Sequence, residues 1–321
     1  MEPEITAAIR KAAEVIGSAE SLAITGHVNP DGDALGSALA LAHAARIAGT
    51  DAVVSFGGGS VIPDHYGFLD LGPVVDRADF PHEPDVMVVF DTGSPDRLAD
   101  LAGPAAAAGT LVVVDHHVTN DGFGDVAVID PTASASALLA YHLIRALGWT
   151  VDARVATALH TGLVTDTGRF QYSNTDADTL RVAADLLEAG ARPDEIGQAV
   201  YESVPFGYLR VASSVLGRAR LEPELSFVWS YVTDEDLGQG NVGPADLDGL
   251  IDDLRIAREA GVAALLKQVS GGYKVSLRSR GGVDVGAIAL DNGGGGHHNA
   301  AGFTAEGTPA EIVERVRAGL R

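Results

Sequence analysis

Short apolar runs alternate with longer Ala-rich stretches through the first half of this chain. The runs Leu22 to Thr25, Ala52 to Phe56, Val86 to Phe90, Leu111 to Val114 and Val126 to Ile129 predict strands. Between and after them, Asp33 to Ala48, Ser134 to Leu147, Ala153 to Leu163 and Asp176 to Ala189 predict helices. That alternation implies an α/β fold with a doubly wound parallel sheet. Pro193 to Glu224 reads as a helical connector broken at Pro223. A second pattern follows: strand Ser226 to Val232, helix Leu247 to Ala260, and strands Val262 to Val269 and Tyr273 to Arg278 joined by the turn Ser270-Gly271-Gly272. An apolar stretch at Val285 to Leu290, the run Gly293 to Gly296 and a helix from Pro309 to Leu320 close it. The expected domains are residues 1–202, a connector 203–224, and a smaller α+β domain 225–321.

The length of 321 residues agrees with two cores. No apolar stretch reaches the roughly 18 residues needed to span a bilayer, and Met1-Glu2-Pro3-Glu4 does not open a signal peptide. A cytoplasmic protein without a membrane partner is the expectation. There is no cysteine, so any metal must be held by histidine and carboxylate. The net charge of -22 argues against a long nucleic-acid track but not against a small phosphorylated ligand. Bound cations and a few arginines can reverse the field locally.

The polar residues that end the apolar runs carry the candidate chemistry. His27-x3-Asp31-x-Asp33 follows the first run, with Pro30 and Gly32 forcing a tight turn. Its plainer reading is an Asp helix cap. A calcium loop fails on register, since Ala34 and Ala40 stand where a glycine and an acid are needed. Asp91 ends the third run, Asp115-His116-His117 the fourth, and Asp166 closes an otherwise apolar helical stretch. Unpaired titratable groups after buried aliphatics are costly. Four crowded carboxylates, Asp31, Asp33, Asp91 and Asp166, would repel one another without cations. Two divalent ions with oxygen and imidazole donors answer both difficulties and point to a two-metal hydrolase. Mn2+ suits such donors best, with Mg2+, Co2+ or Fe2+ as alternatives.

A last constellation joins Gly293 to Gly296 with His297-His298-Asn299 and Ala300-Ala301-Gly302. Glycines let backbone N–H groups approach an anion. No Lys-Ser/Thr follows, so this is not a nucleotide P-loop. Upstream, Arg278, Ser279 and Arg280 end a strand and could bring guanidinium groups to a phosphate.

In this order the motifs resemble the DHH/DHHA1 phosphoesterase family over essentially the whole chain, in the branch of oligoribonucleases, pAp phosphatases and cyclic di-AMP or pApA phosphodiesterases. The resemblance implies a DHH catalytic domain, a DHHA1 substrate-binding domain and an active site in the interdomain cleft. It further implies one metal on His27, Asp31 and Asp91, and a second on Asp33, Asp91, His116 and Asp166. His117 would face the scissile phosphate as donor or acid, and Asp115 would orient a histidine. Arg278, Ser279, His297 and the Gly294, Gly295 and Gly296 backbone would hold substrate phosphate and base. The expected activity is Mn2+-dependent hydrolysis of short oligoribonucleotides or pApA to mononucleotides, and of pAp to AMP. A phosphodiesterase acting mainly on cyclic di-AMP and a non-catalytic nucleotide sensor are the alternatives. A homodimer is left open.

Overall fold

The computed structural model describes residues 2–321, with the backbone alone at His297. The chain divides into two units, one ending at Val200 and the other beginning at Tyr201. From the N-terminal side run α1 (Pro3–Gly17), β1 (Ser21–Thr25), α2 (Gly32–Ala48), β2 (Asp51–Val54), β3 (Val86–Phe90), α3 (Ala102–Ala107), β4 (Thr110–Asp115), β5 (Val126–Ile129), α4 (Ser136–Ala146), α5 (Ala153–Asp166), α6 (Ala177–Glu188) and α7 (Pro193–Tyr201). All five strands are parallel, in the order β2-β1-β3-β4-β5. Successive strands therefore step away to opposite sides of the β1/β3 pair, and the crevice beyond their carboxyl ends is where such sheets bind ligands.

Every residue of β3 is buried because both faces of the sheet are covered. Val86, Val88 and Phe90 point into the large core beneath α1, α2, α4, α5 and α6, while Met87 and Val89 pack with Phe80, Leu98 and Leu101 on the other face. Helix α1, absent from the sequence expectation, is anchored by Ile9, Ala12 and Ile16 at helical spacing. Helix α2 is buried from Gly32 to Ala45 and lies close against α5. Glycine makes that approach possible: a Cβ on Gly36 would sit 2.3 Å from the Ala158 carbonyl oxygen. The approach brings the start of α2 and the end of α5, with Asp33 and Asp166, to one place.

The second unit contains α8 (Phe206–Gly217), β6 (Arg220–Glu222), β7 (Phe227–Val232), α9 (Asp234–Gly240), α10 (Leu250–Arg255), β8 (Val262–Val269), β9 (Gly272–Ser279), α11 (Val285–Asp291), β10 (Gly295–His297), β11 (Ala300–Glu306) and α12 (Pro309–Leu320). Its mixed sheet has the order β10-β11-β9-β8-β7-β6, parallel only between β7 and β8. Helices α11 and α12 cover one face, and α8 and α10 the other.

Three local expectations are corrected here. Residues 203–224 are not a free connector: α8 buries Val211, Ala212 and Val215 against β7, β8 and α10, and β6 pairs with β7. The helix expected to run to Ala260 stops at Arg255, with Ile256 exposed. The glycine run, expected to offer its backbone N–H groups to an anion, ends α11 and then becomes the edge strand β10, paired with β11.

Candidate metal centre

The first sheet delivers the expected residues to one spot. His27 follows β1, Asp91 follows β3, Asp115 ends β4 with His116 and His117 after it, and Asp166 is the last residue of α5. Asp31 caps α2 through Oδ1, which accepts from the amides of Asp33 and Ala34 at 3.0 and 3.1 Å. Its Oδ2 lies 3.6 Å from His27 Nε2, so one carboxylate both caps the helix and faces the histidine. Asp91 stands between two clusters. Its Oδ2 is 3.4 Å from His27 Nε2, and its Oδ1 is 3.4 Å from His116 Nε2. On the far side His116 Nε2 is 3.4 Å from Asp166 Oδ2 and 3.9 Å from Asp33 Oδ2. Three sets of donor atoms are close enough to share an ion: His27, Asp31 and Asp91; Asp33, His116 and Asp166; and Asp91, His116 and His117.

Each histidine is held through Nδ1. His27 donates to the Val28 carbonyl at 2.9 Å, His116 to the Ala133 carbonyl at 3.1 Å, and His117 to Asp115 Oδ1 at 2.7 Å. For His27 and His116 this turns Nε2 toward the carboxylates, the arrangement metal-ligating imidazoles adopt. Asp115 is fully buried and also accepts from Asn120 Nδ2 at 2.7 Å, so it serves as a fixed anchor for His117. Backbone strain gathers at the same place. Asn29, Asp91, Arg169 and Phe170 are non-glycine residues with φ of 53, 52, 63 and 61°, each in or within four residues of this cluster.

Comparison with known proteins agrees with the geometry. The DHH family N-terminal domain matches residues 21–163, and the DHHA1 domain matches residues 225–320. A bifunctional oligoribonuclease and PAP phosphatase, NrnA, of Thermus thermophilus is 34% identical over all of this chain and 95% of its own length. The chain belongs to the DHH/DHHA1 phosphoesterase family. The NrnA of Bacillus subtilis is 30% identical over 55% of this chain and 56% of that protein. Among solved structures, an exopolyphosphatase-related protein from Bacteroides fragilis superposes with a TM-score of 0.90 at 25% identity, covering 98% of this chain and 95% of its own. RecJ of Thermus thermophilus in complex with Mn2+ shares the fold, with a TM-score of 0.57 at 15% identity over 98% of this chain and 54% of RecJ.

Electrostatics in the DHH domain reflect surplus negative charge. Burial disfavours the His27 imidazolium, but Asp31 and then Asp91 outweigh it and hold the pKa up at about 11. His116 is likewise raised against its burial by Asp166 and Asp91, and His117 by Asp115 and Asp91. Burial pushes Asp166 up to about 7, with Asp91 and Asp31 adding to the effect against His116. Asp33 is raised by burial, Asp91 and Asp166. Asp91 is held well below the usual range, because His116 and His27 overcome its burial, and Asp31 is lowered as well, by His27 against its burial.

In the DHHA1 domain the expected residues are placed differently. Arg278 donates to the Leu277 carbonyl at 3.1 Å, and its Nε lies 3.8 Å from Asp252. Buried Ser279 accepts from the Gly281 and Val283 amides at 3.1 and 3.4 Å, and Arg280 is exposed. Gly294 is corrected as an anion donor: its N–H is spent on the Ala289 carbonyl at 2.8 Å. A Cβ there would meet the Gly302 oxygen at 2.1 Å, so its role is close packing. Gly295 and Gly296 lie in the edge strand, and the His297 side chain lies outside the described residues.

Sequence reasoning missed the residues that hold the clustered carboxylates. Ser136 donates its amide to Asp33 at 2.6 Å and its hydroxyl to Asp91 at 3.1 Å, and Ala137 donates to Asp33 at 2.8 Å. Asn174 Nδ2 ties the Ser134 carbonyl to that of Asp166, at 2.9 and 3.1 Å. The signal for Ser136 was a Ser-Ala-Ser that reads as an ordinary helix start, and Asn174 gave none.

Proposed function

We propose that this chain is a Mn2+-dependent two-metal phosphoesterase that hydrolyses short oligoribonucleotides and pApA to mononucleotides, and pAp to AMP. The observation that carries the reading is Asp91, whose two oxygens face two separate donor clusters. The name of the Thermus relative, matched along the whole chain, supports the substrate class. Hard oxygen donors with imidazole and no thiolate fit Mn2+. His27, Asp31 and Asp91 would hold one ion, and Asp33, Asp91, His116 and Asp166 the other. Ions bound there supply Lewis-acid chemistry, an acidified water and a clamp on a phosphoryl oxygen.

The side chains do the rest. His117, held through Nδ1 by Asp115, would give a hydrogen bond and then a proton to the leaving oxygen. Asp115 holds the ring and balances its charge. In the DHHA1 domain Arg278, Ser279 and Arg280, with the Gly295 and Gly296 backbone and His297, grip the substrate's phosphate and base. The test is turnover of pApA and pAp by metal-stripped protein as Mn2+ is restored, with cyclic di-AMP alongside. AMP from pApA and phosphate from pAp, both strictly dependent on Mn2+, are the expected products. Protein that binds Mn2+ and releases neither overturns the reading.

A further inference from the structure

The segment Ala133 to Ala137, where the chain enters α4, touches nearly every residue of the more buried donor cluster. The Ala133 carbonyl accepts from His116 Nδ1 at 3.1 Å. The Ser134 carbonyl shares Asn174 with the backbone of Asp166, and Ser134 Oγ accepts from Thr179 at 2.8 Å, which pins the segment to α6. The amides of Ser136 and Ala137 occupy one lone pair on each oxygen of Asp33. Above all, Ser136 Oγ donates to Asp91 Oδ1, the oxygen that faces His116. Ser136 is fully buried, so water cannot replace that hydroxyl. By contrast, the backbone hydrogen bonds of His27 and Asp31 stay within their own turn, His27 reaches beyond it to Asp91 at 3.4 Å, and Asp31 is more than half exposed.

Resting on the two-cation reading above, we propose that Ser136 is a positioning residue for the shared carboxylate. Its amide fixes Asp33 and its hydroxyl fixes the rotamer of Asp91, so the Asp33–His116–Asp166 position is built before an ion arrives. A carboxylate oxygen can accept a hydrogen bond and bind a cation at once. Partners of this kind typically change metal affinity by about 10- to 100-fold when removed. Ser136→Ala leaves the amide in place and deletes the hydroxyl alone, and Ser136→Thr keeps it.

The experiment is titration of the metal-free protein with Mn2+, read by calorimetry and by the loss of the free-ion electron paramagnetic resonance signal. The wild type is expected to take up two ions. S136A should bind one of them at least about tenfold more weakly, with thermal melting unchanged, and S136T should restore the affinity to within about threefold. S136G deletes the same hydroxyl at the first residue of α4, and serves should S136A fold poorly. A wild type that takes up no Mn2+ overturns the two-cation reading and the role of Ser136 with it. A wild type that binds two ions, matched by S136A or S136G, overturns Ser136 alone. S136T as weak as S136A assigns the loss to packing and also overturns it.

Discussion

The two sheets of this protein end in opposite ways. Strands β1, β3 and β4 of the DHH domain run out into buried histidines and aspartates that face one another, with Asp33 1% and Asp91 3% exposed. In the DHHA1 domain β9 ends in Arg278, Ser279 and Arg280, which are quieted by their own neighbourhood: Asp252, two amides and solvent. The first arrangement is unstable without something to neutralise it, whereas the second is comfortable as it stands. Chemistry is therefore announced by strain and crowding in one domain and leaves little trace in the other.

The sharpest way to break that contrast is Asp91→Asn. An amide cannot balance two cations, so turnover should fall by at least about a thousandfold, roughly 4 kcal/mol of transition-state stabilisation. The fold should be retained, because the carboxamide oxygen of the variant can still accept from Ser136 and asparagine tolerates the positive φ of this position. Melting should move by less than about 3 °C. Turnover that survives in a well-folded variant would mean the crowding at Asp91 is structural and the contrast between the domains is misread.

A second histidine in the same domain isolates burial from crowding. His160 in α5 is buried, stacks edge-on with Phe170, and has no carboxylate beside it; burial alone pushes its pKa down to about 4. His27 is buried too, yet is pushed up to about 11 by Asp31 and Asp91. The sign for His160 is that of a depressed group. Above about pH 6.5 both folded and unfolded forms are neutral and the full contribution is present; below it the unfolded form takes up the proton first. About 2–3 kcal/mol should be lost by pH 4.5. Urea unfolding at pH 7 and pH 4.5 should show a smaller drop for His160→Leu than for the wild type by that amount. Equal drops would place the acid sensitivity in the metal cluster instead.

The same contrast explains what the sequence disclosed. His27, Asp31, Asp33, Asp91, Asp115, His116, His117 and Asp166 were legible because charged groups directly after buried aliphatic strands have few harmless uses. The parallel sheet was legible from its uniformly apolar strands. Ser136, Asn174 and Asn120 were not, since each acts through ordinary hydrogen bonds of a kind that many surface residues could make. Nor was the edge strand at Gly295 to His297, whose glycines carry no alternation to betray a strand, although Gly296 packs closely against Ala300 and Ala301. Short β6, with Leu221 exposed, likewise lacked a buried face to read.

The smallest expected effect falls on the quiet side. Arg278 is poised rather than spent: its guanidinium reaches Leu277 and lies within ion-pair distance of Asp252, yet about a quarter of its surface remains open. If it grips a phosphate remote from the reacting bond, it binds ground state and transition state alike, and its loss raises KM while kcat holds. Arg278→Ala should raise KM for pApA about tenfold, near 1.4 kcal/mol, and Arg278→Lys should recover only part because a forked contact becomes a point charge. Asp252→Ala makes the complementary case. It frees the guanidinium from its nearest carboxylate, and should leave KM unchanged or lower it. A KM that rises as much in Asp252→Ala as in Arg278→Ala would show that the pair braces α10 against β9 and takes no part in binding. A fall in kcat for Arg278→Ala at constant KM would instead make this strand end as much a part of the chemistry as the crowded one.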